Sequence, residues 1–460
     1  MKNKNSLQIV SIRAKANNKY VSAWLDDKEV TLIADVDHKK AWEKFQLINN
    51  EDGSISFKAI NGKYVSAWVD DKEVPLIAKV DYIGKWEKFQ LINNEDGLIS
   101  LKAANEKYVS IKPERDENTR LIAQATEITN SEHFEYESED MTYKSSKVLN
   151  YLYLISGFKT IAGQHNQESK NEKPFDPALS TNNTYKITGK YPALWSGDFL
   201  YQQAFTTPQN PNRWKMIEEA KRQWEQGSIV NIMWHSCPPT QSEPCNWDGG
   251  VLSHLSDQEW NELTSEGTTL NNEWKSRLDN IAEYLRSLKE SGVEVLWRPF
   301  HEMNQGKFWW GGRLGPNGTQ KLYKITYDYL VKTKGLTNLI WVWDVQDFPT
   351  LSQDLSDYNP GDSYWDIIAL DFYQGNGFTT DKYYEMVKVA GHKLIAIGEC
   401  QRFPTISELN EQPRWLFFMG WAEDVFKKEY NSQEEISQLY NASNILTRDQ
   451  LALLIRGMNF

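Results

Sequence analysis

Two hydrophobic grammars divide the chain. Between about residues 6 and 138, apolar runs of three or four residues (Ile9-Val10-Ser11-Ile12, Tyr20-Val21-Ser22, Leu32-Ile33-Ala34, Phe45-Gln46-Leu47) alternate with Asn-Gly, Asp-Asp and Asn-Glu-Asp-Gly turns. Such runs predict strands and hairpins, about four strands to a unit. The unit repeats: NKYVSAW (18–24), GKYVSAW (62–68) and EKYVSI (106–111) place Tyr20, Tyr64 and Tyr108 at spacings of 44 and 44 residues. AWEKFQLINNEDG (41–53), KWEKFQLINNEDG (85–97) and the weaker SEHFEYESED (131–140) follow in turn. A fixed period over three units means three copies of one supersecondary element that must pack together. Three four-stranded units closing about a pseudo-threefold axis make a β-trefoil.

From about residue 145 the pattern changes to apolar strands alternating with amphipathic helices. Eight strand-like segments follow one another: SGFKTIAGQH, PALWSGDF, SIVNIMWH, VEVLWRPFHEMN, LIWVWDV, WDIIALDFY, KLIAIGEC and RWLFFMGW. Between them lie helical patterns such as RWKMIEEAKRQWEQG and WKSRLDNIAEYLRSLKESG, the second ending in the helix stop Ser291-Gly292. Eight βα units predict a (β/α)8 TIM barrel. A doubly wound sheet is the alternative, but no strand is followed by a glycine-rich phosphate fingerprint, and GGRLGPNG (311–318) lacks the lysine of a phosphate loop. The expected organisation is a trefoil over 1–140 and a barrel over 145–460.

Composition narrows the chemistry. Against 51 Lys and Arg stand 63 Asp and Glu, a net charge of −12 in 460 residues. That sign repels phosphate backbones and argues against nucleic-acid binding. Mean hydropathy is −0.64, and no run reaches the roughly 18 apolar residues of a membrane span. The 19 Trp and 22 Tyr suit ligands such as sugars, whose C–H faces stack on rings while their hydroxyls hydrogen-bond. Cys237 and Cys245 lie eight apart and make either one small bridge or two free thiols; Cys400 stands alone. The seven histidines are scattered without HxxxH or HExxH, so neither metal nor cofactor is expected. The opening MKNKNSLQIVSIRAK has lysines but no apolar leader core, which reads as an intracellular chain or a mature form.

In a TIM barrel the catalytic groups sit at the C-terminal strand ends. Two glutamates stand there: Glu302 after the fourth segment and Glu399 in the seventh. An unpaired charge beside a packed barrel mouth is costly unless it works. Two carboxyls across one pocket, one protonated and one ionised, are what glycoside hydrolysis needs.

On these residues the second region resembles glycoside hydrolase family 26, best known for β-mannanases. WRPFHEMNQGKFWWGG (297–312) carries the likeness, with GQH (163–165), PALWSGDF (192–199), the pair Trp234-His235, YNPGDSYWDIIALDFY (358–373) and IGEC ending at Cys400. The resemblance covers about residues 150–425. It implies a retaining double displacement with Glu302 as acid/base and Glu399 as nucleophile. Arg298 and His301 look like site-orienting residues, and His235 like a sugar-contacting histidine. Asp371 and Tyr373 match a DxY motif in which the tyrosine hydroxyl bonds the nucleophile. Trp421 is placed as the sugar platform, with Trp415 its rival. Many relatives carry an aromatic five residues after the acid/base; here that position is Lys307, and the stacking surface is expected to shift along Phe308, Trp309 and Trp310. The resemblance implies β-1,4-mannan, glucomannan or galactomannan as substrate, no cofactor, a secreted protein and a monomer. β-1,3-Xylan or mixed-linkage β-glucan is the alternative within the family, and a non-catalytic glycan-binding protein a third reading. The first region resembles fascin-like trefoils through GKYVSA and WEKFQL, leaving open a second glycan site or a purely structural module there.

Overall fold

The computed structural model describes residues 8–451 except 24–29, 38–41, 60–61, 68–73, 95–96, 112–118, 140–145, 158, 167–174 and 207–211. The Asp26-Asp27 and Asp70-Asp71 turns, Trp24, Trp68, the residues of the opening segment before Gln8 and the expected boundary at 140–145 lie outside the described residues. The chain divides into two compact units, the first holding the residues up to Ser145 with two short later segments and the second most of the residues from Ser146 on.

The first unit is a twelve-stranded antiparallel sheet. Its first repeat supplies β1 (Gln8–Ala14), β2 (Lys19–Ala23), β3 (Leu32–Val36) and β4 (Phe45–Asn49). The second gives β5 (Ile55–Lys58), β6 (Tyr64–Ala67), β7 (Leu76–Val80) and β8 (Gln90–Asn93). The third gives β9 (Ile99–Lys102), β10 (Tyr108–Ile111), β11 (Leu121–Ala125) and β12 (Phe134–Glu139). The sequence repeat is thus a structural repeat, and its closure is visible in three equivalent hydrogen bonds. The amide of Ala34 donates to Thr119, that of Ala78 to Val30, and that of Ala123 to Val74, at 2.8, 3.0 and 3.0 Å. Each repeat therefore binds the next in a ring. Equivalent buried side chains fill the axis: Val21, Val65 and Val109; Leu32, Leu76 and Leu121; Phe45, Phe89 and Phe134. This is a β-trefoil.

The second unit is a closed parallel barrel. Its strands are β13 (Thr160–His165), β14 (Leu194–Asp198), β15 (Ile229–Met233), β16 (Val295–Arg298), β17 (Leu339–Gln346), β18 (Ile367–Phe372), β19 (Leu394–Cys400) and β20 (Trp415–Gly420). Neighbours pair in order, and β13 pairs with both β14 and β20 to close the ring. A short β21 (Ile445–Leu446) flanks β13. All eight expected segments form strands, each buried along its length because helices and the barrel interior cover both faces. The two expected helices are Asn212–Glu225 and Thr269–Glu290. The longer buries Trp274, Leu278, Ile281, Leu285 and Leu288 along one stripe. It stops at Ser291, and Gly292 takes the left-handed conformation (φ +71°). Cys237 and Cys245 form a disulfide, pinned from below by Arg277, whose guanidinium donates to the Cys237 carbonyl at 2.6 Å.

Truncating one member of the phenylalanine triplet tests the trefoil closure. Phe134→Ala is expected to cost about 3–5 kcal/mol, the range for deleting a fully buried ring, read as a lowered denaturant midpoint for this unit. A loss below about 1 kcal/mol, the scale of a surface substitution, would mean the ring of repeats does not depend on it.

Candidate active site

The site is assembled around Arg298, the last residue of β16, whose side chain is only 1% exposed. Its Nη1 donates to Asp344 Oδ2 and Asp371 Oδ1, both at 3.2 Å, and its Nη2 to Glu399 Oε1. These three acids come from β17, β18 and β19 in succession. One guanidinium thus faces three carboxyls with almost no water. Burial works against the Arg298 charge, yet the carboxylates hold its proton above the ordinary arginine value. Burial pushes Asp371 well above the usual carboxyl range despite Arg298, and raises Asp344 in the same way. The packing leaves no room for a side chain at Gly398, where a Cβ would lie 2.4 Å from Asp371 Oδ1 and 2.5 Å from Asp344 Oδ2.

Glu399 accepts a second bond at Oε2 from the Tyr373 hydroxyl, 2.6 Å away. Burial lifts its carboxyl to about 7, while Arg298 and the Tyr373 hydroxyl favour the anion. Tyr373 is held in turn by Asp347, which accepts from the Tyr373 and Gln374 amides at 3.1 Å and pairs with buried Lys382 at 2.6 Å.

Glu302 follows β16 in the left-handed backbone region, φ +49°, where a glutamate is strained. Its amide donates to Asp344 Oδ1 at 2.8 Å, so Asp344 holds both Arg298 and the backbone of Glu302. Gln305 Nε2 donates to the Glu302 carboxyl, and Lys307 Nζ lies 3.6 Å from Oε2. Burial first, then the charge of Glu399, raises Glu302 to about 8. Glu302 is thus the more strongly raised of the two carboxyls, and Glu399 is the one held by a cation and a hydroxyl.

Both carboxyls face a cleft of about 270 Å3. One wall is His235, whose Nδ1 pairs with Asp198 Oδ2 at 2.5 Å while its amide donates to Oδ1 at 3.0 Å. Although burial opposes it, His235 holds Asp198 below its ordinary value. His301 packs edge-on to His235 at 4.4 Å, and burial lowers its pKa well below normal, so it stays neutral. Trp421 stacks flat on His165, 4.4 Å between ring centres and 4° between planes. Trp247, which follows the disulfide-closed loop, and Phe308 complete the aromatic lining.

Of the residues singled out in the sequence, Glu302, Glu399, His235, His301, Tyr373 and Trp421 line this cleft. Arg298 and Asp371 lie beneath it as support. Trp310 sits elsewhere than expected: it is wholly buried, donates through Nε1 to the His301 carbonyl at 3.0 Å, and stacks behind Phe308 at 4.6 Å. It props the wall and offers no face to a ligand. Trp415 is likewise buried, its Nε1 bonded to Gln412. Asp344, Asp198, Trp247 and the Asp347–Lys382 pair were not anticipated. The available signal for the first two was an acid embedded at the end of an apolar strand, in LIWVWDV and PALWSGDF. Among the described residues no group of three or more His, Cys, Asp or Glu side chains is arranged to hold a metal ion.

Burial of Glu302 has a stability consequence. A carboxyl raised from 4.5 to about 8 in the folded state stabilises the fold fully below the unfolded value and loses that contribution as pH climbs toward 8. Glu302→Gln removes the titration, so its melting temperature relative to the unmodified protein is expected to rise progressively between pH 5 and 8.5. The gain is scaled at roughly 2–4 °C per kcal/mol. A difference that stays flat or falls with pH would show that Glu302 is not raised.

Comparison with known proteins agrees with this architecture. The sequence pattern of Glycosyl hydrolase family 26 matches residues 138–450, and that of an FRG1-like domain matches 8–152. The chain is 32% identical over 311 residues to a mannan endo-1,4-beta-mannosidase of Thermothelomyces thermophilus, covering 65% of this chain and 60% of that protein. It is 28% identical over 279 residues to mannan endo-1,4-beta-mannosidase A of Piromyces sp, covering 58% and 42%. The chain therefore spans less than two thirds of these curated relatives. The structure of GH26A from a Muricauda species superposes with a TM-score of 0.61 at 34% identity, over 68% of this chain and 98% of that one. A β-mannanase from a symbiotic protist of the termite Reticulitermes speratus, in complex with gluco-manno-oligosaccharide, gives 0.58 at 25% identity, over 68% and 96%. By the extent of the family match, and with a barrel and a paired-carboxyl cleft of the matching kind, the chain belongs to Glycosyl hydrolase family 26.

Proposed function

We propose that the protein is a retaining endo-β-1,4-mannanase that cleaves internal mannosidic bonds of mannan, glucomannan or galactomannan. The observation that carries the reaction type is the unequal pair: Glu302 buried and raised, Glu399 held by Arg298 and Tyr373. The substrate class rests on what the named relatives act on.

In the first step Glu399 attacks the anomeric carbon while Glu302 gives its proton to the departing oxygen. Arg298 and Tyr373 keep the attacking carboxylate ionised and aimed. In the second step Glu302, now an anion, takes a proton from water as that water displaces Glu399. Trp421, braced by His165, is the platform under the sugar at the cleavage point, and His235, braced by Asp198, contacts its hydroxyls. In this reading the protein is a secreted monomer; the Cys237–Cys245 disulfide favours an oxidising compartment. Among the described residues no helix is long and apolar enough to cross a membrane. The trefoil is read as an accessory glycan-binding module, with exposed Tyr82 and Trp86 as its aromatic surface.

Reducing-sugar release from mannan, glucomannan, galactomannan, β-1,3-xylan and mixed-linkage β-glucan tests the substrate. Release from the mannans is expected; release only from xylan or glucan would move the substrate and keep the chemistry, and silence on all would remove the activity. Glu399→Ala is expected to lose turnover of every substrate, with azide restoring an inverted product. Glu302→Ala is expected to lose roughly 100-fold or more on poor leaving groups and far less on activated aryl glycosides, since acid assistance is worth about 10²–10⁴. Equal losses on both substrate types would exclude Glu302 as the acid.

A further inference from the structure

We propose that Lys307 is a positioning residue for the reaction, a cation at the cleft rim that stabilises the carboxylate form of Glu302 during breakdown of the glycosyl-enzyme. This rests on the glycosidase reading above and adds a role that the paired carboxyls do not supply.

Lys307 Nζ lies 3.6 Å from Glu302 Oε2, on the same loop and over the ring of Phe308 at 4.9 Å. Its side chain is 47% exposed whereas that of Glu302 is 4% exposed, so the ammonium keeps its hydration while the carboxyl does not. The other charges near Glu302 are Glu399 from β19, Asp344 from β17 and Arg298 from β16, with Asp371 of β18 behind them. The Tyr373 hydroxyl, neutral His301 and the Asp198-paired His235 share the same cleft. Among these, Arg298 is already committed to three carboxyls. Lys307 is the cation whose charge is directed at Glu302.

The two half-reactions ask opposite things of Glu302. In the first, an Oε of Glu399 bonds to the anomeric carbon as the glycosidic C–O bond breaks, and its electron pair leaves with the oxygen that takes the Glu302 proton. Glu302 is then a buried anion. In the second, water oxygen bonds to the anomeric carbon, one water proton goes to Glu302, and the ester bond breaks to return the Glu399 carboxylate. Burial and the Glu399 charge favour the protonated form needed first. A nearby cation favours the anion needed second, at a time when Glu399 is a neutral ester and no longer opposes it.

The test is the pH profile of Lys307→Met and Lys307→Arg on mannan and on an activated aryl β-mannoside. Removing an opposite charge at this distance from a half-exposed position is expected to move the basic limb of kcat/KM upward by roughly 0.5–1 pH unit. With the activated substrate, where breakdown limits, kcat on the acidic side is expected to fall roughly three- to tenfold, one pH unit being tenfold in the ionised fraction. Lys307→Arg keeps the charge and should restore both. A basic limb unmoved within about 0.2 unit, or an arginine variant displaced as far as the methionine one, overturns the proposal. An unmodified protein inactive on both substrates would instead sink the glycosidase reading. The charge effect is then read without turnover, by infrared titration of Glu302 in the unmodified and Lys307→Met proteins with Glu302→Gln as blank. The same upward shift supports the pairing, and its absence refutes it.

Discussion

The site depends on one buried guanidinium. Arg298 has no water to fall back on, and a charge stranded in such a place costs several kcal/mol. Its fork therefore fixes where β17, β18 and β19 must place Asp344, Asp371 and Glu399. The constraint propagates in two directions. Asp344 passes it to the backbone of Glu302 through a single hydrogen bond from the Glu302 amide, tying that carboxyl to the same anchor as Glu399. Gly398 records it in the sequence, since any side chain there would collide with both aspartates. A lysine at 298 would keep the charge but lose the planar fork that reaches three acceptors at once.

The same burial that threatens the fold supplies the chemistry. Removing water lifts Glu302 and Glu399 into the neutral range, where a carboxyl is able to give and take a proton near physiological pH. The fold carries this as local instability: a strained Glu302 backbone and acids crowded about one cation. It is offset by a barrel whose eight strands are buried along their lengths and by supports packed behind the residues that line the cleft. Asp198 under His235, Asp347 and Lys382 under Tyr373, and His165 under Trp421 each freeze one side chain of the cleft.

Legibility in the sequence followed periodicity. The trefoil was readable because its 44-residue repeat places equivalent residues such as Phe45, Phe89 and Phe134 in one core. The barrel was readable because parallel strands buried on both faces leave unbroken apolar runs, and Gly292 marks a helix stop by a conformation few other residues adopt. Glu302 and Glu399 stood out because they end such runs. Asp344 and Asp198 carried the same signal, an acid near the end of an apolar strand, but lacked a motif beside them to set them apart. Trp247 was hidden for another reason: it is placed by ring contacts with Tyr201, His235 and Phe308, residues far from one another in the chain. The resemblance to a family located Tyr373 and His235, but their braces are contacts between strands distant in the chain, which a single sequence does not display.

The loop after β16 shows why an aromatic-rich motif misleads about exposure. Gln305 donates its amide to the Glu302 carbonyl and Gly312 to that of Met303, which curls the segment back on itself. Gly311 and Gly312 are required there, since a Cβ at either would lie within 2.6 Å of the backbone of Gln305 or Gly306. In that curl Trp309 bonds inward to the Ser236 carbonyl and Trp310 to that of His301. The two largest rings are consumed in holding the loop, and Phe308 and Lys307 are the side chains left facing the cleft. A pattern rich in tryptophan therefore yields a rim with one small ring and one positive charge. The difference from an aromatic rim is electrostatic, and it acts on the nearest titratable group, the carboxyl of Glu302.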